Sequence, residues 1–289
     1  CPPTMLVLTI YILTFTVGFP ANVFTFVTLL GTARRRVSPS AILLLNLTAA
    51  DLLLLLFLPF KMVEAAAGMT WPLPPVLCPV ANFCFYSSIY LSSLFLAALS
   101  VERYLGVVFP LRYKDRRRLG RVMAASIVLW LLACSHCSIV FVAQYHGGRN
   151  QPTANRSACY DDFSDDQLSF VLPLRLELFL VLFLLPFAVT IFCYINFVRV
   201  LLSRPNIPLE KKQRAVGLAV ATMVNFGVVF APYNISHVVG FVEKKSPDWR
   251  VYALLLTSLN AALDPVIIYF SSTAVQRAVA GGVVATRDK

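Results

Sequence analysis

Charge is what this chain has least of. Only 13% of its 289 residues are Asp, Glu, Lys or Arg, against 58% apolar residues, and mean hydropathy is +0.74. A water-soluble domain of that length would have to expose apolar surface it could not bury, so a soluble fold is excluded. Acidic residues are scarcer still, 14 against 25 basic, for a net charge of +11. Residues 250–271 contain no lysine, which excludes a retinal Schiff base on the last apolar run. Internal repeats and paired broken helices, the marks of a secondary transporter, are missing. No nucleophile–base or metal constellation stands out either, so the chain does not read as an enzyme.

What is present is long apolar runs, near residues 5–30, 40–63, 76–109, 121–143, 168–202, 212–242 and 250–271. Each suffices for a spanning helix of about 20 residues. The whole of 1–289 therefore reads as a single all-α membrane domain, a seven-transmembrane helix bundle. The first run exceeds the apolar core of a signal peptide and lacks an A-x-A-like site. The chain begins at Cys1 without a methionine, so residues are expected in front of it.

Basic side chains gather in alternate loops. Arg34, Arg35 and Arg36 follow the first run, Arg112, Lys114, Arg116, Arg117, Arg118 and Arg121 the third, and Arg199, Arg204, Lys211, Lys212 and Arg214 the fifth. That pattern predicts an outer amino terminus and a cytosolic carboxyl terminus in a multi-pass membrane protein. The positive charge reports topology rather than nucleic-acid binding. Residues 272–283 read as a short amphipathic helix on the membrane, ended early by Gly281-Gly282.

If 78–103 is one helix, Cys78 and Arg103 lie about 38 Å apart, enough to span a bilayer. Cys78 and Cys159 then share the non-cytosolic side, where oxidising conditions let them pair. Cys84, Cys134, Cys137 and Cys193 fall inside spans as buried thiols. Asn155-Arg156-Ser157 is a glycosylation sequon in the longest outer loop; Asn46-Leu47-Thr48 matches the pattern but lies within a span.

Ionisable groups inside a bilayer are expensive and mark function by default. Asp51 interrupts a leucine-rich span, and Asn22, Ser92, Asn260 and Asp264 lie at depths able to face it. Such a set holds a sodium ion, or else forms a hydrogen-bonded network that only packs the helices. Nearer the outer surface lie Arg175, Arg250, His136 and His237, with Tyr86, Tyr90 and Tyr233. Two guanidiniums, two imidazoles and three phenols at one depth suit a small anion with an apolar tail. The duller readings are a snorkelling Arg250, a satisfied core His136 and tyrosines that merely pack. Asp161 and Asp162 are the expected counter-ions of Arg175, since Glu177 lies about 200° round the helix from it. Lys61 and Glu64, three apart, are expected to pair with each other.

Gly18-x-Pro20-x-Asn22, Leu47-Thr48-Ala49-Ala50-Asp51, Glu102-Arg103-Tyr104, Trp130, Pro186, Pro232 and Asp264-Pro265 occur in that order. Together they resemble rhodopsin-like G protein-coupled receptors across nearly the whole chain. The resemblance implies a switch at Glu102, Arg103 and Tyr104 and a heterotrimeric G protein partner. Pro59-Phe60-Lys61, Phe85-Tyr86-Ser87-Ser88-Ile89-Tyr90, Leu172-Pro173-Leu174-Arg175-Leu176-Glu177 and Pro232-Tyr233-Asn234-Ile235-Ser236-His237 look like the free fatty acid receptors. Among those, the short-chain pair, receptors two and three, is the nearest likeness. It implies a carboxylate held by Arg175 and Arg250 with His136 and His237 beside it, and G proteins of the inhibitory or Gq type. Two departures stand out: Phe230 replaces the usual tryptophan, and Ile268 takes the usual tyrosine position, one before Tyr269. The alternatives are a receptor for longer fatty acids or another small anion, or an anion transporter.

Overall fold

The computed structural model describes residues 2–113, 118–145, 159, 163 and 165–287. Seven helices are long and apolar enough to cross a membrane: Thr4–Arg35 (α1), Pro39–Ala66 (α2), Leu77–Val108 (α3), Arg118–Ala143 (α4), Asp165–Ser203 (α5), Leu209–Glu243 (α6) and Arg250–Ser271 (α7). Thr273–Arg287 forms an eighth helix, α8. Among the described residues there is no strand. In hydrocarbon every backbone N–H and C=O must bond within its own segment, and a helix does that.

The alternation of the spans puts the basic helix ends together with Arg103 and leaves Cys78 at the other end. α3 is the axis of the bundle, with 83% of its most apolar window buried against 22% in α1. Polar residues on α3 thus reach the interior, whereas most of α1 stays on the outside of the bundle. Ser38 starts α2 by accepting from Ala41 N at 3.2 Å, and Pro39 follows where its missing N–H costs nothing. Trp130 Nε1 donates to Asn46 Oδ1 at 2.9 Å, tying α4 to α2.

Wide π turns at Phe179–Leu184 and Asn225–Phe230 lead into Pro186 and Pro232. Proline removes one ladder donor and blocks the preceding turn, and a wider turn absorbs the clash. Each extra residue rotates the register, so the two halves of α5 and α6 present different faces to the bundle.

The Cys78–Cys159 disulfide, with Cα atoms 5.9 Å apart, anchors the outer loop to the top of α3. Cys84, Cys134, Cys137 and Cys193 are free thiols within spans. Asn155, Asp161 and Asp162 lie outside the described residues.

Two expectations need correction. Gly281-Gly282 do not end α8, which continues to Arg287. Neither glycine takes the left-handed backbone that caps a helix. Their cost, about 1 kcal/mol each relative to alanine, is carried by the Val275, Val279, Val283 stripe on one face. Lys61 turns to Asn82 rather than Glu64, donating to Oδ1 at 2.5 Å with its ammonium 5.3 Å from the centre of the Phe85 ring. Asn82 in turn donates to Cys159 Sγ at 2.9 Å, so the polar group available across the helix gap outcompetes the neighbour on the same helix.

Candidate functional site: two arginine-centred cavities

At the disulfide end, α3 to α7 enclose a cavity of about 10 Å³, counted as space open to the centre of a water molecule. That is room for about one water. Arg175 and Arg250 both line it and are 2% and 4% exposed. Arg175 Nη1 donates to Ser246 Oγ at 3.3 Å, and its guanidinium lies 5.3 Å from the Phe163 ring centre. Arg250 opens α7; its Nη2 donates to Tyr233 Oη at 2.8 Å.

The phenols and one imidazole make the rest of the polar wall. Tyr86 stacks on Tyr233 with ring centres 6.1 Å apart, and Tyr90 Oη lies 2.7 Å from His237 Nε2. His237 Nδ1 is buried with no hydrogen-bond partner among the described residues. If Tyr90 donates to Nε2, then Nδ1–H is a spare donor next to the cavity. The described lining contains no carboxylate.

His136 is not part of this wall. Its Nδ1 lies 2.8 Å from Leu132 O and its Nε2 lies 3.1 Å from Glu177 Oε1, between α4 and α5. Successive helical residues point about 100° apart, and here Cys137 has the cavity side. The structure thus brings Arg175, Arg250, His237, Tyr86, Tyr90 and Tyr233 together and leaves His136 outside.

Deeper in the bundle, Ser92 Oγ donates to Asp264 Oδ2 at 2.6 Å, and Asn225 Nδ2 donates to Asp264 Oδ1 at 2.9 Å. Asn260 Nδ2 donates to Ser92 Oγ at 2.8 Å. Asp51 is buried, with neither carboxylate oxygen hydrogen-bonded to a described residue. Asn22 instead ties α1 to α7, donating to Ala261 O at 2.7 Å. Two buried carboxylates, of which Asp51 keeps both oxygens without a hydrogen bond to a described residue, beside a hydroxyl and an amide, fit a hard monovalent cation. Among the described residues, no three His, Cys, Asp or Glu side chains group as a metal site.

At the other end, a cavity of about 380 Å³ opens between α3, α5, α6 and α7. Arg103 projects into it, its Nη2 donating to Ser271 O at 2.7 Å and to Ser271 Oγ at 2.5 Å. Glu102 pairs with Arg118 at the start of α4, so the two charged neighbours hold different helices. Tyr104 packs outside the bowl, against Phe192 at 5.6 Å.

Residues 21–269 match the 7 transmembrane receptor (rhodopsin family) pattern. The chain belongs to that family. The receptor is 50% identical to mouse free fatty acid receptor 2 over 98% of its own length and 86% of the relative's. It is 49% identical to mouse free fatty acid receptor 3 over 92% and 83%. With free fatty acid receptor 1 of Macaca fascicularis identity falls to 34%, over 92% and 91%. It is accordingly a multi-pass receptor of the plasma membrane in the free fatty acid receptor group, and not an enzyme.

Several parts of the receptor's sites carried no sequence signal. Cys137, Ile139, Val140 and Leu178 form the apolar wall of the outer cavity, yet they are ordinary residues in an apolar run. Asn225 was findable, being a polar residue deep in a span. Ile268 is fully buried at the usual tyrosine position, while Tyr269 is 40% exposed.

Proposed function

We propose that this receptor responds to short aliphatic carboxylates of the acetate, propionate and butyrate class, with Arg175 and Arg250 holding the carboxylate. The observation that carries this reading is that two buried guanidiniums line one small cavity walled by phenols and aliphatic side chains. A guanidinium fork matches a carboxylate bidentately, and desolvation strengthens each bond. Simple carboxylic acids titrate near Glu, about 4.3, and arrive as anions at neutral pH. Room for about one water leaves space for only a short tail, and that only after the walls part. At about 0.8 kcal/mol per buried CH₂, such a tail contributes little, so affinity is weak and dominated by charge. The names of the relatives support fatty acids as the ligand class; receptors 2 and 3 match almost equally, so identity does not choose between them.

The wide cavity around Arg103 is the docking place of a heterotrimeric G protein, of the inhibitory or Gq type. Ligand shifts the receptor toward the coupled state only by binding that state more tightly. Asp51 and Asp264, with Ser92 and Asn260, hold a sodium ion between the two cavities, a charge that stabilises the uncoupled arrangement.

The test is a propionate concentration–response for G protein activation in cells, beside Arg175→Ala. The reading expects a sub-millimolar to millimolar response, about 4–5 kcal/mol of binding, that vanishes in the variant. Silence to propionate with a response to long-chain acids would refute it.

A further inference from the structure

His136 faces Glu177, not the cavity, and the details of that contact assign it a role. Both ring nitrogens point at accepting oxygens, Leu132 O at 2.8 Å and Glu177 Oε1 at 3.1 Å. With hydrogen on Nε2, His136 donates to the Glu177 carboxylate. The side chains are 19% and 51% exposed, at the edge where α4 meets α5.

The immediate neighbours of both residues line the carboxylate cavity. Cys137 follows His136, Leu178 follows Glu177, and Arg175 precedes Glu177 by two. Directly after Cys137 the helical run of α4 is broken at Ser138 before it resumes at Ile139. Two backbone bonds still cross the break, Ser138 N to Cys134 O at 3.1 Å and Val142 N to Ser138 O at 3.2 Å, and side chains from α5 add to them: Gln167 Nε2 donates to Ala143 O at 2.7 Å, and His136–Glu177 is, among the described residues, the side-chain-to-side-chain bond joining α4 to α5.

We propose that His136 and Glu177 are a positioning pair for the carboxylate site, bracing the end of α4 against α5 without touching the ligand. They fix the apolar wall of Cys137, Ile139 and Val140 opposite Arg175. The inference rests on the carboxylate reading above and deepens it.

If His136 met the ligand directly, Glu177 would be a competing negative charge, and removing it would leave or raise propionate potency. As a brace, Glu177 is needed, and removing it lowers potency. The opposite signs make the test. Propionate concentration–response curves, normalised to receptor counted at the cell surface, are compared for wild type, His136→Ala, Glu177→Ala, Glu177→Gln and the double alanine variant.

The brace predicts a loss of roughly threefold to tenfold in each alanine variant, in the range of a partly exposed charge-assisted bond. The double variant is no worse than either single one, because both remove the same bond. Glu177→Gln, whose amide oxygen still accepts from Nε2, recovers most of the response. Unchanged or raised potency in Glu177→Ala, with a loss in His136→Ala, would overturn the proposal. So would alanine variants that only reach the surface poorly while the molecules that arrive respond normally. A wild type silent to propionate would instead remove the carboxylate reading beneath it.

Discussion

Both ends of the bundle are built around arginine, in opposite surroundings. Arg175 and Arg250 sit in a closed cavity of about 10 Å³, between aromatic rings and aliphatic walls. Arg103 stands in an open bowl of about 380 Å³ and leans on the end of α7 through Ser271. A desolvated guanidinium in a tight box interacts strongly with an anion of a few atoms and excludes anything larger. In an open basin the same side chain is a movable tie, free to exchange its partner when a protein segment enters. Cavity volume, rather than residue type, separates the proposed ligand end from the proposed partner end. The Asp51–Asp264 layer lies between them.

The comparison breaks most visibly at Arg250. Arg250→Ala should reduce propionate potency by about 30-fold or more at normal surface expression, since removing one partner of a buried charge pair costs about 2–5 kcal/mol. A mild effect would make Arg250 a snorkelling residue and leave Arg175 alone. Arg103→Ala should cut G protein activation about 5- to 150-fold, the usual span of coupling energies. Propionate should still raise the thermal stability of the purified Arg103 variant; loss of both would merge the two ends into one site. Tyr90→Phe deletes the hydroxyl facing His237 Nε2 and should cost about two- to tenfold in potency, the value of one hydrogen bond. The smallest effect belongs to the layer between the two. Replacing sodium with N-methylglucamine should lower the melting temperature of the wild type by a few degrees, about 1 kcal/mol of ligand linkage. Asp264→Asn should not respond to the exchange.

The seven spans were legible because hydrocarbon imposes one rule along the whole chain. The residues of the outer polar wall were legible for the same reason, as Arg175, Arg250 and His237 are costly inside a bilayer and so conspicuous. His136 shows the limit. Depth can be read from position along a span, but the face a side chain takes depends on rotation about the helix axis. A rotation of one residue put Cys137 in the cavity and His136 against Glu177. The apolar wall was silent because Ile139 and Val140 look like every other aliphatic residue in a span. Lys61 went astray because a same-helix partner is visible in sequence, whereas Asn82, 21 residues on, becomes a neighbour only once α2 packs on α3. α8 outran its glycines because glycine weakens a helix without ending it.

The most direct test of the central claim is ligand contact without any G protein. Saturation-transfer NMR of propionate with the purified receptor in nanodiscs would be recorded for the wild type and for Arg175→Ala/Arg250→Ala. A buried arginine clamp predicts transfer to the propionate methyl group in the wild type, abolished by excess butyrate and absent from the double variant. Equal transfer to both proteins would show that propionate binds elsewhere, and would contradict the arginine clamp.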